Sequence, residues 1–161
     1  MASLDYDALS PGYDELYGQE QMEKYRECFR LLRITCLGKV LDAGCGTALL
    51  LEYLHSNNIP YEAYIGIDKS AGMLRQALPK LRGEAHLIQA DIHHLPIRDK
   101  TLDQAFMFTV IHHLEAERAL GELVRAVRGP IVVSRHRRLG CRLPRVSKLV
   151  GMLSSDDLHL L

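Results

Sequence analysis

Five short apolar runs alternate with helix-patterned stretches along this chain, and that alternation limits the fold more than any other feature. The runs are "KVLDAG", "AYIGID", "AHLIQAD", a segment centred on Gln104–Val110, and "IVVSRH". Between them lie "TALLLEYLHSNN"; "AGMLRQALPKL", which Ser70 can cap and Gly83 closes; and "EAERALGELVRAVR", with Leu120, Leu123, Val124 and Val127 on one face. Strand and helix in alternation predict a parallel sheet with helices on both faces. The strand centres are continuously apolar, as burial on both faces requires. Ahead of this series, the turn signal Ser10-Pro11-Gly12 precedes a helix expected over Gln19 to Arg33. At 161 residues, 47% of them apolar, the chain is long enough for one domain with layers on both sides of a sheet.

In such a sheet the ligand lies at the carboxyl ends of the strands. Three of the first four strand ends carry an aspartate: Asp42, Asp68 and Asp91. Gly44 and Gly46 follow Asp42 and let a ligand approach the backbone. A phosphate site would want backbone N–H groups and cations at these ends. Acids there predict a ligand that offers hydroxyls, amines or positive charge. The competing reading makes each aspartate a helix N-cap, since all three precede a turn or helix. A nicotinamide-dinucleotide fingerprint is excluded, because Leu49 stands where its third glycine belongs.

Charge and composition exclude other classes. No apolar run approaches the roughly 18 residues of a membrane helix. The opening "MASLDYDALSPGYDELYG" fits no secretory signal, which makes a cytoplasmic protein the expectation. Four scattered cysteines read as free thiols, and the adjacent pairs His93-His94 and His112-His113 are poor chelates, so no metal is expected. The zero net charge hides an asymmetry. Residues 1–27 carry seven acids against two bases, and Leu123 to Ser155 carries eight bases and no acid. Such a block suits a phosphate backbone or an acidic partner. The alternative is a solvated face that answers the acidic N-terminus.

"VLDAGCGT", "YIGIDKSAGML", "LIQADIHHLPI" and "FMFTVIHHL", in this order, resemble the successive motifs of the class I S-adenosylmethionine-dependent methyltransferases, over about residues 13 to 136. The likeness is to the small, general type 11-like branch, archaeal members included. It implies an α/β, Rossmann-like parallel sheet with helices on both faces, of methyltransferase type and shortened at the C-terminus. Residues 1–34 would form an N-terminal lid and helix, 38–136 the cofactor-binding core, and 137–161 a short basic C-terminal region. The cofactor implied is S-adenosyl-L-methionine. By the same resemblance Asp42 would accept from its ammonium group, Gly44, Cys45 and Gly46 pass beneath its methionine part, and Asp68 take both ribose hydroxyls. Asp91 and the Ile92 N–H would meet the adenine, Met73 and Ile92 would flank it, and Lys69 and Thr109 would complete the site. "GYDELYG" resembles a lid segment, with Tyr17 and Tyr13 near the sulfonium. Ala48 departs from the motif, standing where relatives often have a third glycine.

Methyl transfer is an in-line displacement that needs alignment and exclusion of water more than a dedicated catalytic group. His112 and His113, just past the fourth strand, are the candidate bases. No Asn/Asp-Pro-Pro-Tyr/Phe signature is present, which argues against exocyclic and amide nitrogens as acceptors. Three readings stay open: a methyltransferase acting on RNA, through basic residues 125–148, or on a translation-related protein; a small-metabolite methyltransferase; and a catalytically silent partner subunit. Some relatives of the small archaeal enzymes work with a small activator protein. The third strand, 85–90, is expected at an open sheet edge where such a partner could add a strand. "KLVGMLSSDDLHLL" is expected to supply a short strand or two at most.

Overall fold

A computed structural model describes residues 5–139, 141, 143, 147–153 and 155–161. A short helix α1 (Tyr6–Leu9) and a 3-10 turn lead into the long helix α2 (Tyr13–Leu32). Then follow β1 (Leu37–Ala43), α3 (Leu49–Ser56), β2 (Tyr61–Asp68), α4 (Ala71–Ala77), β3 (Ala85–Gln89), β4 (Gln104–Met107), α5 (Ala116–Ala126) and β5 (Ile131–His136), with β6 (Lys148–Met152) and β7 (Asp156–Leu160) closing the chain. The strands form one seven-stranded sheet in the order β3-β2-β1-β4-β5-β7-β6. β1 to β5 pair in parallel, and β7 runs antiparallel to both of its neighbours.

The period-two alternation of β1 assigns each residue to one of two cores. Val40 packs with Tyr25, Phe29, Leu50 and Leu54 of α2 and α3. Leu41 and Ala43 face the other way, toward Leu120 and Leu123 of α5. The helices thus cover both faces, as the alternating pattern requires. No helix among the described residues is long and apolar enough to cross a membrane.

Several boundaries differ from the sequence reading. α2 begins six residues before the expected Gln19, at Tyr13, with Asp14 and Glu15 in its first turn, where acids complement the helix dipole. All of "GYDELYG" but its first residue, the N-cap Gly12, therefore lies within the helix, and the segment that crosses the strand ends is Asp5–Gly12. β4 stops at Met107, not Val110, because Thr109 turns the chain with φ of 59°. The sheet is mixed, and its C-terminal part is not short of strands: "KLVGM" and "DDLHL" form a hairpin whose second strand slots between β5 and β6. The economy falls on connections instead. Among the described residues no α-helix links β3 to β4 or β5 to β6. β3 does lie at the sheet edge, paired to β2 alone.

A buried polar cluster ties the last strand to the first long helix. Lys24 of α2 is 2% exposed, with Nζ 3.2 Å from Asp156 and 2.9 Å from Glu20. Ser134 of β5 donates to Asp156 (2.7 Å) and accepts from the Thr109 N–H (2.8 Å). Gln21 and Lys24 donate to the Thr109 hydroxyl at 3.1 and 3.4 Å. Burial works to raise the Asp156 carboxyl, but the Ser134 hydroxyl and the Lys24 ammonium outweigh it and hold it low. Removing one member of such a pair strands the other charge. Lys24→Met is therefore expected to destabilise the fold by about 3–5 kcal/mol in urea unfolding. Lys24→Met with Asp156→Asn should cost less than the sum of the two single losses. Strictly additive losses would show that the two residues do not act as a pair.

Candidate functional site

The parallel register brings the C-terminal ends of β1, β2, β3 and β4 to one edge of the sheet, and a cavity of about 360 Å³ opens there. Of the residues expected at a site, Gly44, Gly46, Asp68, Lys69, Met73, Asp91, Ile92, Thr109 and His113 line it.

The loop after β1 is shaped by two left-handed glycines. Gly44 has φ of 76°, and a Cβ there would lie 2.5 Å from a Val110 methyl. Gly46 has φ of 54°, and a Cβ would meet nothing within 4 Å, because the backbone there faces the cavity. The N–H groups of Gly44 and Cys45 both donate to the Ile67 carbonyl, at 2.7 and 3.0 Å, which pins the loop to the end of β2. Ala48, at the departure from the motif, also takes a left-handed φ of 60° and is fully buried. A non-glycine residue there holds a conformation that costs roughly 1–2 kcal/mol.

Asp68 closes β2 with its two oxygens divided: one accepts from the Gly46 N–H (2.8 Å), the other from the Ser70 N–H (2.9 Å). Burial raises this carboxyl, and the surrounding backbone N–H groups oppose the rise. Asp91 is a cap, accepting from the His93 N–H at 2.9 Å. It lies 2.7 Å from His93 Nδ1 and 3.9 Å from Lys69 Nζ. His93 Nε2 accepts from the Glu115 N–H (3.1 Å), so the ring proton sits on Nδ1 and points at Asp91. The His93 N–H, more than any other group, holds the Asp91 carboxyl low. Capping and cavity lining thus coexist in Asp91, whereas α4 is capped by Ser70 and Asp68 is free of that role.

Four expected residues do not line this cavity. The strand alternation turns Asp42 onto the Val40 face, where Tyr64 donates to its carboxylate at 2.5 Å. Cys45 is turned back toward the Gly46 carbonyl (3.8 Å), and burial pushes its thiol well up. Tyr17 lies against Tyr13, ring centroids 5.0 Å apart. With His112 it lines a second chamber of about 210 Å³, which shares Tyr6, Tyr13, Thr109 and His113 with the first. His112 is pushed down to about 4, chiefly by burial and then by His113 and His136. Its buried Nδ1 has no hydrogen-bond partner.

Residues that motif reading missed close the mouth. Asp7 of α1 accepts from the Ser70 hydroxyl and the Gly72 N–H, both at 2.6 Å, at the start of α4. Only a glycine at 72 permits this approach, since a Cβ would sit 2.8 Å from Asp7 Oδ1. Tyr6 Oη lies 2.8 Å from His113 Nε2. These two clamps strap α1 across the strand ends. Asp14 adds a third tie, accepting from Thr47 (2.5 Å) and Lys80 (2.6 Å). Among the described residues no group of three His, Cys, Asp or Glu side chains is placed to hold a metal ion.

The Asp42 environment makes a pH prediction. Burial raises its carboxyl to about 7, with the Tyr64 hydroxyl opposing and the Asp68 charge assisting. The folded chain then holds a proton that the unfolded chain releases above its ordinary value of 3.8. This contribution to stability is complete below that value and is lost as pH rises to about 7. Asp42→Asn, permanently neutral, is expected to flatten the profile there. Wild type should lose stability relative to the variant by at most about 1.4 kcal/mol per pH unit. Parallel pH profiles for the two proteins would mean that Asp42 is ionised in the fold.

With this geometry in place, comparison with known proteins gives a consistent result. A family profile described as "Methyltransferase domain" matches residues 41–129. The ubiquinone/menaquinone biosynthesis C-methyltransferase UbiE of Syntrophotalea carbinolica is 31% identical over 135 residues, 76% of this chain and 55% of that protein. A tRNA (carboxymethyluridine(34)-5-O)-methyltransferase of Arabidopsis thaliana is 34% identical over 128 residues, 76% of this chain and 29% of that protein. The chain spans about half or less of the length of these relatives. Among solved structures, the complex of the Haloferax volcanii Trm112 methyltransferase activator with a methyltransferase superposes with a TM-score of 0.69 at 18% identity, covering 83% of this chain and 61% of that one. That likeness is one of fold. The profile match spans the glycine loop, Asp68, Asp91 and α5, and the chain belongs to the methyltransferase domain family.

Proposed function

We propose that the chain is an S-adenosylmethionine-dependent methyltransferase. The observation that carries this reading is Asp68: a half-buried carboxylate at the end of β2, held by the Gly46 and Ser70 N–H groups, in a cavity floored by open glycine backbone. An acid there repels phosphate and suits vicinal hydroxyls. The volume fits a ligand of this size, and the unfilled space above Gly46 admits a chain lying against the backbone.

In this reading Asp68 would hold the ribose, Asp91 and the Ile92 N–H the adenine, and Met73 and Ile92 its apolar faces. Lys69 would steady Asp91, and Gly44–Gly46 would carry the amino-acid part. Asp42 and Cys45 would act from behind, as packing for the loop, in place of the ammonium contact, direct or through water, expected of Asp42. When bound, S-adenosylmethionine supplies a methyl group on a sulfonium. The strap made by Tyr6 and Asp7 would exclude water from the cavity. Thr109, fixed by Gln21, Lys24 and Ser134, sets the junction between the two chambers, where an acceptor would arrive. His112, uncharged at neutral pH, is the imidazole available there, since His113 Nε2 already meets Tyr6. Residues 5–32 would serve as lid and acceptor wall, 38–136 would hold the cofactor, and the C-terminal hairpin would brace Thr109.

The walled second chamber supports a small acceptor. An RNA acceptor finds its support in the name of the Arabidopsis thaliana relative. The basic block supports it less than its count suggests, because its arginines answer acids of the same chain. Arg125 pairs with Glu122 (2.9 Å) and Asp99 (2.7 Å), Arg128 with Asp103 (3.1 Å), and Arg135 with Asp157 (2.8 Å). Arg137 reaches Asp157 at 3.9 Å. These acids lie outside the N-terminal segment expected to answer the block. Arg142 and Arg145 lie outside the described residues.

Calorimetry tests the cofactor reading. S-adenosylmethionine and its demethylated product should bind at one site, and Asp68→Ala should lose about 1.5–3 kcal/mol of binding. No heat with either ligand, or an unaltered affinity in Asp68→Ala, overturns it. The open β3 edge supports a strand-adding partner, as the complexed Haloferax volcanii neighbour also suggests. Hydrogen exchange is expected to show weak protection at residues 85–90 in the isolated chain, rising when the partner binds. Strong protection in the isolated monomer would remove that partner.

A further inference from the structure

The second chamber has a chemical character of its own. It lies between α2 and the ends of β4 and β5, and joins the first cavity through Tyr6, Tyr13, Thr109 and His113. One wall is aromatic: Tyr6, Tyr13 and Tyr17 come from the strap and the first turns of α2, with the Tyr13 and Tyr17 rings tilted 44° to each other. Three imidazoles line the chamber as well: His112, His113 and His136. The side chains of fixed charge that line it, among the described residues, are Glu20 and Lys24.

The charges do not balance in the way the lysine alone suggests. Lys24 Nζ is shared between Glu20 (2.9 Å) and Asp156 (3.2 Å), so two carboxylates face one ammonium and one negative charge is left over. Lys24 and Ser155 hold the Glu20 carboxyl low, so it stays ionised. His112 and His113 add little to offset it. His112 is pushed to about 4 and His113 is lowered, both chiefly by burial. His136 Nδ1 accepts from the Arg138 N–H at 3.2 Å. Among the described lining residues, an anionic acceptor would meet one fixed cation, Lys24, already held by two carboxylates. A cation would find one carboxylate in excess and three ring faces, and ring faces attract cations.

Resting on the methyltransferase reading above, we infer that the second chamber is the acceptor site and that it selects a small molecule bearing an organic ammonium, on a short aromatic or aliphatic frame, over one bearing a carboxylate or phosphate; the ammonium is the group recognised, and the methyl goes to an atom with a free lone pair. Glu20 supplies the charge preference, and Tyr13 and Tyr17 supply the ring faces. The chamber volume, about 210 Å³, limits the acceptor to a small molecule or to one protruding group of a larger one.

Two probes with the same frame and opposite charge test this: 2-phenylethylamine and phenylacetate, titrated into the full chain at neutral pH with and without S-adenosylhomocysteine. Binding is read by calorimetry and by the imidazole C–H resonances of His112, His113 and His136. The amine is expected to bind about tenfold more tightly than the acid and to shift those three resonances. Glu20→Gln should erase most of the preference. Tyr17→Leu, at a half-exposed residue outside the buried cluster, should weaken the amine about fivefold and leave phenylacetate unchanged, which keeps the test decisive if Glu20→Gln fails to fold. Equal or tighter binding of phenylacetate, no binding of the amine at millimolar concentration, or shifts confined to other histidines would overturn the inference. S-adenosylhomocysteine binding without a charge preference defeats this inference alone. A charge preference with no S-adenosylhomocysteine binding defeats the cofactor reading and leaves the chamber's selectivity standing.

Discussion

The contact between Lys24 and Asp156 is the constraint on which the rest of the site depends. It joins the first long helix to the last strand inside the protein, and both ions give up water to make it. What they gain is a network that ends on Thr109, a residue in a left-handed conformation at the junction of the two chambers. Strained backbone of this kind persists only where its surroundings over-determine it. Here Gln21, Lys24 and Ser134 hold Thr109 from α2 on one side and β5 on the other. The C-terminal hairpin is therefore part of the site, although none of its residues lines the first cavity.

The strand ends show how one residue type takes different tasks through position alone. Asp42 and Asp68 both stand near the carboxyl end of a parallel strand. The pleat turns Asp42 onto the α2–α3 face, where burial and the Tyr64 hydroxyl make it a structural carboxyl that favours its proton. Asp68, the last residue of β2, is still paired with Gln89 of β3, and its oxygens meet the Gly46 and Ser70 N–H groups at the cavity wall. Left-handed conformations at Gly44, Gly46, Ala48 and Thr109 gather around this edge. Other left-handed residues, Arg33, Asn58, Gly83 and Lys100, lie at turns away from the cavity.

Local patterns made much of this legible beforehand. The glycine loop, Asp68, Asp91 and the β3 edge follow from short motifs and strand order, which depend on residues near one another in the chain. What stayed hidden depends on distance. Nothing beside Lys24 points to Asp156, and nothing beside Tyr6 or Asp7 points to His113 or Gly72, so the buried cluster and the strap have no sequence signature. The basic block was only partly legible for a related reason. Counting charges along the chain gives no account of Asp99, Asp103, Glu122 and Asp157, which fold back onto Arg125, Arg128, Arg135 and Arg137. The C-terminal segment supplies the two short strands its sequence allowed, and pairing with β5 places them in the sheet.

The central claim is that the acidic strand ends of β2 and β3 form a nucleoside site. A crystal structure of the chain with S-adenosylhomocysteine at saturating concentration tests it most directly. The account predicts ligand density between the Gly44–Gly46 loop and Asp91, with both ribose hydroxyls on Asp68 and the adenine between Met73 and Ile92. An empty strand-end cavity at that concentration, or ligand density lodged elsewhere on the protein, would contradict it.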